Sequence, residues 1–285
     1  MKKKDILPFF LLIVVITIIF AISIFIINKY IKNISEHFYN EESILLNKPN
    51  ESIMSINISE SRNINHNEIP LNIFMCWHTK NLPDKMNKLV NKIKEENQEF
   101  NIYIYDDKDC RNMIEKYFVK DVINAFDSLI PGAYKADLWR LCVLYLYGGI
   151  YQDIKMEPLN NFKYKNIIDK EYFVRDREVG GSGILNALIV SKKQNIILEK
   201  GIKQIVKNVK NKYYGTSPLE PTGPLMLKKF FSQYDIDNLE MKLNDDFLLF
   251  NDNQILTAYK GYRDEQKQFG TKHYSKLWEE KKIYK

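Results

Sequence analysis

Asp137 and Arg140 interrupt a run, Ala133–Tyr147, that is otherwise almost wholly apolar. At this spacing two side chains share one face of a helix. Charged groups on a buried helix are costly unless they pair or act on something. The couple is therefore either an internal tie between helix and sheet or the rim of a polar site. A second couple follows in Asp153 and Lys155. Residues two apart on a strand point the same way, so this carboxylate and ammonium should project together. Taken alone, Asp153 reads equally well as a turn residue at a strand end. No Ser-His-Asp or Cys-His order in a convincing context accompanies them, which argues against nucleophilic hydrolysis. Gly180-Gly-Ser-Gly183 has no following Lys-Ser/Thr, so it is not a phosphate-binding loop; it reads as a loop entering the apolar run that carries Asn186.

These residues need elements to hold them. Leu71–Trp77 (LNIFMCW) reads as a buried strand. Met86–Glu99 has helical spacing, Asn101–Tyr105 (NIYIY) alternates as a strand, and Cys110–Tyr117 returns to helix. Pro131 suits a helix start and Gly148 a helix end. Between them Ala133–Tyr147 is a helix apolar nearly all round, hence buried. Gly149–Ile154 then reads as a strand. Strand and helix alternate, which predicts an α/β sheet with crossover helices, and such sheets bind ligands at the carboxyl ends of their strands. His78 stands at one strand end and Asp106-Asp107 at another; each reads either as a ligand contact or as a turn or capping residue.

The 285 residues carry 42 Lys+Arg against 36 Asp+Glu, a formal charge of +6. Half of that excess sits in Lys2, Lys3 and Lys4, and the rest of the chain is near balance, so no nucleic-acid footprint is present. With 45% hydrophobic and 13% aromatic residues, a disordered chain is excluded. Cys76, Cys110 and Cys142 are too scattered for a disulfide framework or a zinc cluster and read as buried thiols.

Residues 7–27 (LPFFLLIVVITIIFAISIFII) carry no charge. As a helix they span about 30 Å, the thickness of a hydrocarbon core. The run is too long for a signal-peptide core, and Asn28-Lys29-Tyr30 is a poor cleavage site. The flanks MKKKD and NKYIK favour a cytoplasmic N-terminus. The expected organisation is a cytoplasmic tail at 1–6, a single transmembrane signal anchor at 7–27, a polar stem at 28–68 and one globular domain at 69–285. Sequons at Asn33, Asn50 and Asn57 fall in the stem.

The segment Ala136-Asp-Leu-Trp-Arg140, followed by Tyr147-Gly-Gly-Ile-Tyr151 and Asp153, resembles the D-x-D sugar-binding glycosyltransferases, and within them the Och1-like family, glycosyltransferase family 32. Four further pieces stand in the same order as in that family. Ile69-Pro70 through Trp77, with Leu82-Pro83, is similar to its opening strand. Asn101–Asp107 resembles its second strand, ending in acidic residues. Glu220-Pro-Thr-Gly-Pro224 is similar to its T-G-P element, and His273-Tyr-Ser-Lys-Leu-Trp278 to its closing histidine and tryptophan. The resemblance covers most of 69–285.

It implies a GT-A fold, a Rossmann-like sheet with a nucleotide-sugar site at the strand ends, and transfer with retention of the donor's anomeric configuration. Carried over, Asp137 binds donor sugar hydroxyls and Arg140 the donor. Asp153 is the first D-x-D carboxylate, holding Mn²⁺ or Mg²⁺ together with His273. Trp77, Asn186, His273 and Trp278 fall on the donor side, while Tyr213-Tyr214-Gly215 and Thr222-Gly223-Pro224 shape the acceptor side. Lys155 stands where the second carboxylate belongs, which puts the metal in doubt, and an ammonium there supplies part of its charge. The expected partners are a UDP- or GDP-linked sugar and a glycan, lipid or protein acceptor, on a type II protein of the Golgi or secretory membrane in a eukaryotic host. The rival reading is a catalytically inactive, membrane-tethered carbohydrate- or nucleotide-binding protein with a degenerate D-x-D motif.

Overall fold

A short continuous apolar run, Ile73–Cys76, makes most of the first strand of a mixed sheet in a computed structural model that describes residues 46, 69–177, 183–269 and 272–285. The expected membrane span 7–27, the three sequons, residues 180–182 of the glycine loop and all of the stem but residue 46 lie outside the described residues. Among the described residues no helix is long and apolar enough to cross a membrane.

The chain from Asn72 to Gln152 follows the predicted alternation. It runs β1 (Asn72–Cys76), α1 (Asp84–Glu96), β2 (Asn101–Tyr105), α2 (Asp107–Tyr117), α3 (Lys120–Ser128), α4 (Gly132–Tyr147) and β3 (Gly149–Gln152). β2 and β3 flank β1 in parallel, as crossover helices require. After β3 come β4 (Met156–Pro158), a 3-10 turn at Tyr164–Ile167, β5 (Tyr172–Arg175), β6 (Ile184–Ser191) and α5 (Ile196–Lys210). Then follow α6 (Pro224–Lys228), α7 (Gln233–Asp237), β7 (Met241–Asn244), β8 (Phe247–Phe250), β9 (Asn253–Ala258), α8 (Tyr262–Gln268) and α9 (Tyr274–Glu279).

The nine strands form one sheet in the order β2-β1-β3-β6-β5-β7-β8-β9-β4. β3 and β4 are joined only by Asp153-Ile154-Lys155, yet β4 lies at the far edge, paired with β9. So short a link forces the sheet to curl until that edge returns beside β3. The Asp153–Lys155 turn sits at this closure. Asp153 N–H donates to the Ala187 carbonyl of β6 at 2.8 Å, and Tyr259 N–H donates to the Lys155 carbonyl at 3.0 Å.

Side-chain alternation covers the sheet on both faces. Ile73, Met75, Ile150 and Leu188 pack with Met86, Leu89, Val90 and Ile93 of α1 in one buried core. Phe74 points the other way, stacking near Tyr147 of α4 at 6.1 Å between centroids. α4 is buried on nearly all sides, including Leu138, Trp139, Leu141 and Leu144. Each such aliphatic side chain contributes about 1.5–3 kcal/mol by leaving water. α4 ends where Gly148 takes φ 61° and Gly149 φ 113°. A Cβ on Gly149 would lie 2.6 Å from the Asn72 carbonyl oxygen, so only glycine lets β3 enter beside β1 here.

The sequence pattern extends β3 to Ile154, but the strand stops at Gln152. Asp153 to Met156 instead closes a turn through a Met156 N–H to Asp153 carbonyl bond of 2.9 Å. The curl of the sheet forces this turn, because a continued strand could not reach β9.

Candidate active site

Alternation along β3 turns Tyr151, and after it Asp153, toward α4, which presents Asp137 and Arg140 from its buried interior. Asp137 is 8% exposed and Arg140 6%. The Arg140 guanidinium lies 3.4 Å from Asp137 Oδ1 and 3.2 Å from Asp153 Oδ1. It also donates to the Asn186 and Ala136 carbonyls, the latter at 3.1 Å. The Tyr151 ring faces it at 4.4 Å from the centroid. Lys155 Nζ stands 2.9 Å from Asp153 Oδ2, and Tyr151 O–H donates to Asp153 Oδ1 at 2.9 Å. Asp137 accepts from Asn186 Nδ2 at 3.0 Å and from Thr222 Oγ1 at 2.8 Å. Asn186 Oδ1 is buried with no partner.

Five residues singled out in the sequence therefore form one connected network: Asp137, Arg140, Asp153, Lys155 and Asn186. The paired reading of Asp137 and Arg140 holds in it. Asp153 and Lys155 do project together, through a turn rather than through strand period.

The two carboxylates are held in opposite conditions. Burial raises the Asp137 pKa, against the pull of Arg140 and the hydrogen bonds from Asn186 and Thr222. Burial also works to raise Asp153, but the charges of Lys155 and Arg140 and the hydrogen bonds of Lys155 and Tyr151 outweigh it and bring the pKa down to about 2. Asp153 is thus a fixed anion beside two cations, while Asp137 is the acid closer to taking up a proton. Lys155 is raised chiefly by Asp153, with burial opposing.

Around this centre lie residues whose contacts the sequence reading does not assign. Thr222, fully buried, donates its hydroxyl to Asp137. Tyr262 lies under Lys155, with Nζ 5.6 Å from its ring centroid. Tyr274 feels both Asp137 and Lys155, and burial is the main cause raising its pKa. Tyr151 had been visible in the Y-G-G-I-Y piece, but its pairing with Asp153 had not.

The remaining candidates stand farther out. Trp77 has a buried indole N–H without a partner, and its ring meets Tyr262 edge-on at 6.4 Å and Phe269 at 5.9 Å. His78 is 4.8 Å from Phe269. Asp106 caps α2, accepting from Asp109 N–H at 2.8 Å in a reciprocal capping box. Burial raises the Asp107 pKa, against the charges of Lys135 and His78. Trp278 is turned to the loop at 213–216, donating to the Tyr214 carbonyl at 2.7 Å. His273 caps α9, its Nδ1 lying 2.8 Å from Ser275 Oγ. Burial, then Arg263 and Lys155, lower its pKa, so it sits in a basic field rather than against Asp153.

Among the described residues no hydrogen bond or ion pair joins His273 to Asp153, and no group of three or more His, Cys, Asp or Glu side chains is arranged to hold a metal ion. Asp153 has both oxygens engaged by fixed donors. This donor set does not fit a divalent cation. Two open cavities lie away from the carboxylates. One, of about 380 Å³, is lined by Tyr103, Tyr105, Tyr117 and Tyr147 among others. The other, of about 290 Å³, lies between Lys85, Lys88 and Tyr259.

Comparison with known proteins gives a family match that includes Asp137, Arg140, Asp153 and Lys155. Residues 83–174 match the family described as "Glycosyltransferase sugar-binding region containing DXD motif". The "Initiation-specific alpha-1,6-mannosyltransferase" of Candida albicans is 31% identical over 91 residues, which is 30% of this chain. The chain spans 24% of that relative's length. Among solved structures, "PaToxG Glycosyltransferase" is 22% identical with a TM-score of 0.43, covering 57% of this chain and 69% of that one. The "UDP-bound glycosyltransferase domain from the YGT toxin" is 11% identical with a TM-score of 0.34, covering 72% and 69%.

Proposed function

We propose that this chain, whose residues 83–174 match the model of a DXD-containing glycosyltransferase sugar-binding region, transfers a sugar from a UDP- or GDP-linked donor to a hydroxyl of a glycan, glycolipid or glycoprotein. The observation that carries the reading is the network Asp137–Arg140–Asp153–Lys155–Asn186, gathered at the end of β3, with all of its residues but Asn186 inside the matched segment. Parallel strands place a ligand at their carboxyl ends, and this is the carboxyl end of β3.

In the reaction the bond from the sugar C1 to the diphosphate oxygen breaks and its electron pair stays on that oxygen. The acceptor oxygen bonds C1, and its proton ends on the released diphosphate. Atoms balance without a protein nucleophile, which suits attack from the same face and retention. The demand on the protein is positive charge beside the departing phosphate and fixed polar groups around the sugar. Lys155 and Arg140 meet the first. Asp137, whose carboxylate is positioned by Asn186 and Thr222, and the free Oδ1 of Asn186 meet the second. The GT-A arrangement, anchoring through residues 7–27 and residence in a secretory-pathway membrane belong to the same proposal.

The test is incubation of the chain with UDP- and GDP-sugars, with nucleoside diphosphate release and acceptor glycosylation as readouts. A mannosyl donor comes first, given the name of the fungal relative. Failure to hydrolyse or transfer any donor, with nucleotide still bound, would favour the binding-only rival that Lys155 motivates.

A further inference from the structure

We infer that the donor's diphosphate is held by the Lys155 ammonium in the place of a divalent cation, so that donor binding proceeds without metal. The inference rests on the nucleotide-sugar reading above and names how that site meets phosphate charge.

Asp153 is the carboxylate to which a metal would have to bind. Its Oδ2 faces Lys155 Nζ at 2.9 Å, and its Oδ1 takes the Tyr151 hydroxyl at 2.9 Å and Arg140 at 3.2 Å. An ion on this carboxylate would be pressed against one or both cations, which repel it strongly in a half-buried setting. Hard divalent ions also want several oxygen ligands. The position that would give a second carboxylate is Lys155 itself, and the His273 Nδ1 is taken by Ser275.

Lys155 meets the requirement for an anion clamp. Its side chain is 32% exposed, so one face remains open while Asp153 holds the other. Its backbone is fixed at both ends of the turn, by Met156 N–H to the Asp153 carbonyl at 2.9 Å and Tyr259 N–H to the Lys155 carbonyl at 3.0 Å. The Tyr262 ring supports the ammonium at 5.6 Å. The charge is therefore positioned rather than carried on a free tether. A lysine acts on phosphate as a point charge, the role a metal would otherwise fill. Arg263 adds positive charge on the closing segment, where it and Lys155 both act on His273. Asp153 then serves to aim Lys155.

The experiment measures UDP and GDP binding to the full chain by calorimetry in EDTA and in Mn²⁺, for the wild type, Lys155→Met and Lys155→Asp. The expected result is wild-type binding in EDTA that Mn²⁺ changes by less than about threefold, with Lys155→Met weaker by about tenfold or more. Lys155→Asp, which restores two carboxylates, should lose binding in EDTA and regain it with Mn²⁺; a merely structural lysine would show no such metal rescue. Wild-type binding seen only with Mn²⁺ overturns the inference while leaving the transferase reading intact, and this comparison needs no variant to fold. Unchanged binding by Lys155→Met also overturns it. Absence of UDP and GDP binding under both conditions sinks the transferase reading, and the inference with it.

Discussion

Replacing Arg140 by methionine removes the charge on which two buried acids converge. The wild-type guanidinium is 3.4 Å from Asp137 and 3.2 Å from Asp153, and it satisfies the Asn186 and Ala136 carbonyls. Methionine fills much of the volume but none of these roles. Asp153 keeps Lys155 and the Tyr151 hydroxyl. Asp137 keeps only two neutral donors, Asn186 and Thr222, and loses its cation. Removing one partner of a buried pair costs about 3–5 kcal/mol. For a domain of this size 1 kcal/mol shifts the melting temperature by about 2–4 °C, so Arg140→Met should melt about 6–20 °C lower at neutral pH. The cause lies in one uncompensated carboxylate, so Asp137→Asn in the Arg140→Met background should recover part of the loss. A thermal-denaturation double-mutant cycle measures this, with an expected coupling of about 1–3 kcal/mol. A melting point within 2 °C of wild type, or a double variant less stable than Arg140→Met alone, would refute the assignment of Arg140 as the network's counter-charge.

Asp153 makes acid stability testable. Its folded pKa, about 2, lies below the ordinary carboxyl value of 3.8, so it contributes stability above pH 3.8 that is lost as pH falls through 2. The contribution is about 2 kcal/mol, and Lys155→Met should shift the carboxyl's NMR titration upward and start acid unfolding at higher pH. Thr222→Val deletes the hydroxyl 2.8 Å from Asp137 Oδ2 with little change in shape; denaturant unfolding should show a loss of about 1.5–3 kcal/mol. Gly149→Ala forces a Cβ to 2.6 Å from the Asn72 carbonyl oxygen at φ 113°, and should prevent accumulation of folded chain, seen as loss of a cooperative melt.

The regular first half of the globular part was legible because its signals are local. NIYIY alternates and forms a strand over the same residues, Asn101–Tyr105. The buried helix was readable from its apolar run and the proline and glycine that bound it, and the structure places it at Gly132–Tyr147. The Asp137–Arg140 pairing followed from helical period alone. What escaped was what the sheet does at long range. Thr222 lies far along the chain from Asp137 yet binds it, and no period links them. The β7–β9 meander escaped because its strands are short, only partly buried and broken by turns at Asp245 and at Asn251-Asp252. Aspartates at strand ends showed both outcomes, since Asp106 became a helix cap whereas Asp153 entered the network.

The turn at Asp153–Lys155 shows why a local reading reached the right pair for an incomplete reason. Strand period accounts for Asp153 facing Arg140, because Tyr151 and Asp153 share the α4 side of the sheet. It cannot account for Lys155, which lies beyond the strand. The lysine meets Asp153 because β4 must pair with β9 at the opposite edge of the sheet, and three residues are all that join it to β3. Closure of the curled sheet thereby fixes an ammonium against a carboxylate, with the backbone of both pinned by neighbouring strands. Loosening that closure should act on Lys155 without touching it. Tyr259→Pro removes the N–H that binds the Lys155 carbonyl, and it should weaken nucleoside diphosphate binding by about fivefold to tenfold, the equivalent of one lost backbone hydrogen bond. The same measurement on Tyr259→Ala, which keeps the N–H and removes the ring together with the hydroxyl bonded to Glu265, separates the backbone effect from the side chain's. Equal loss in both variants would mean that the side chain, and not the pinned turn, sets the position of the ammonium.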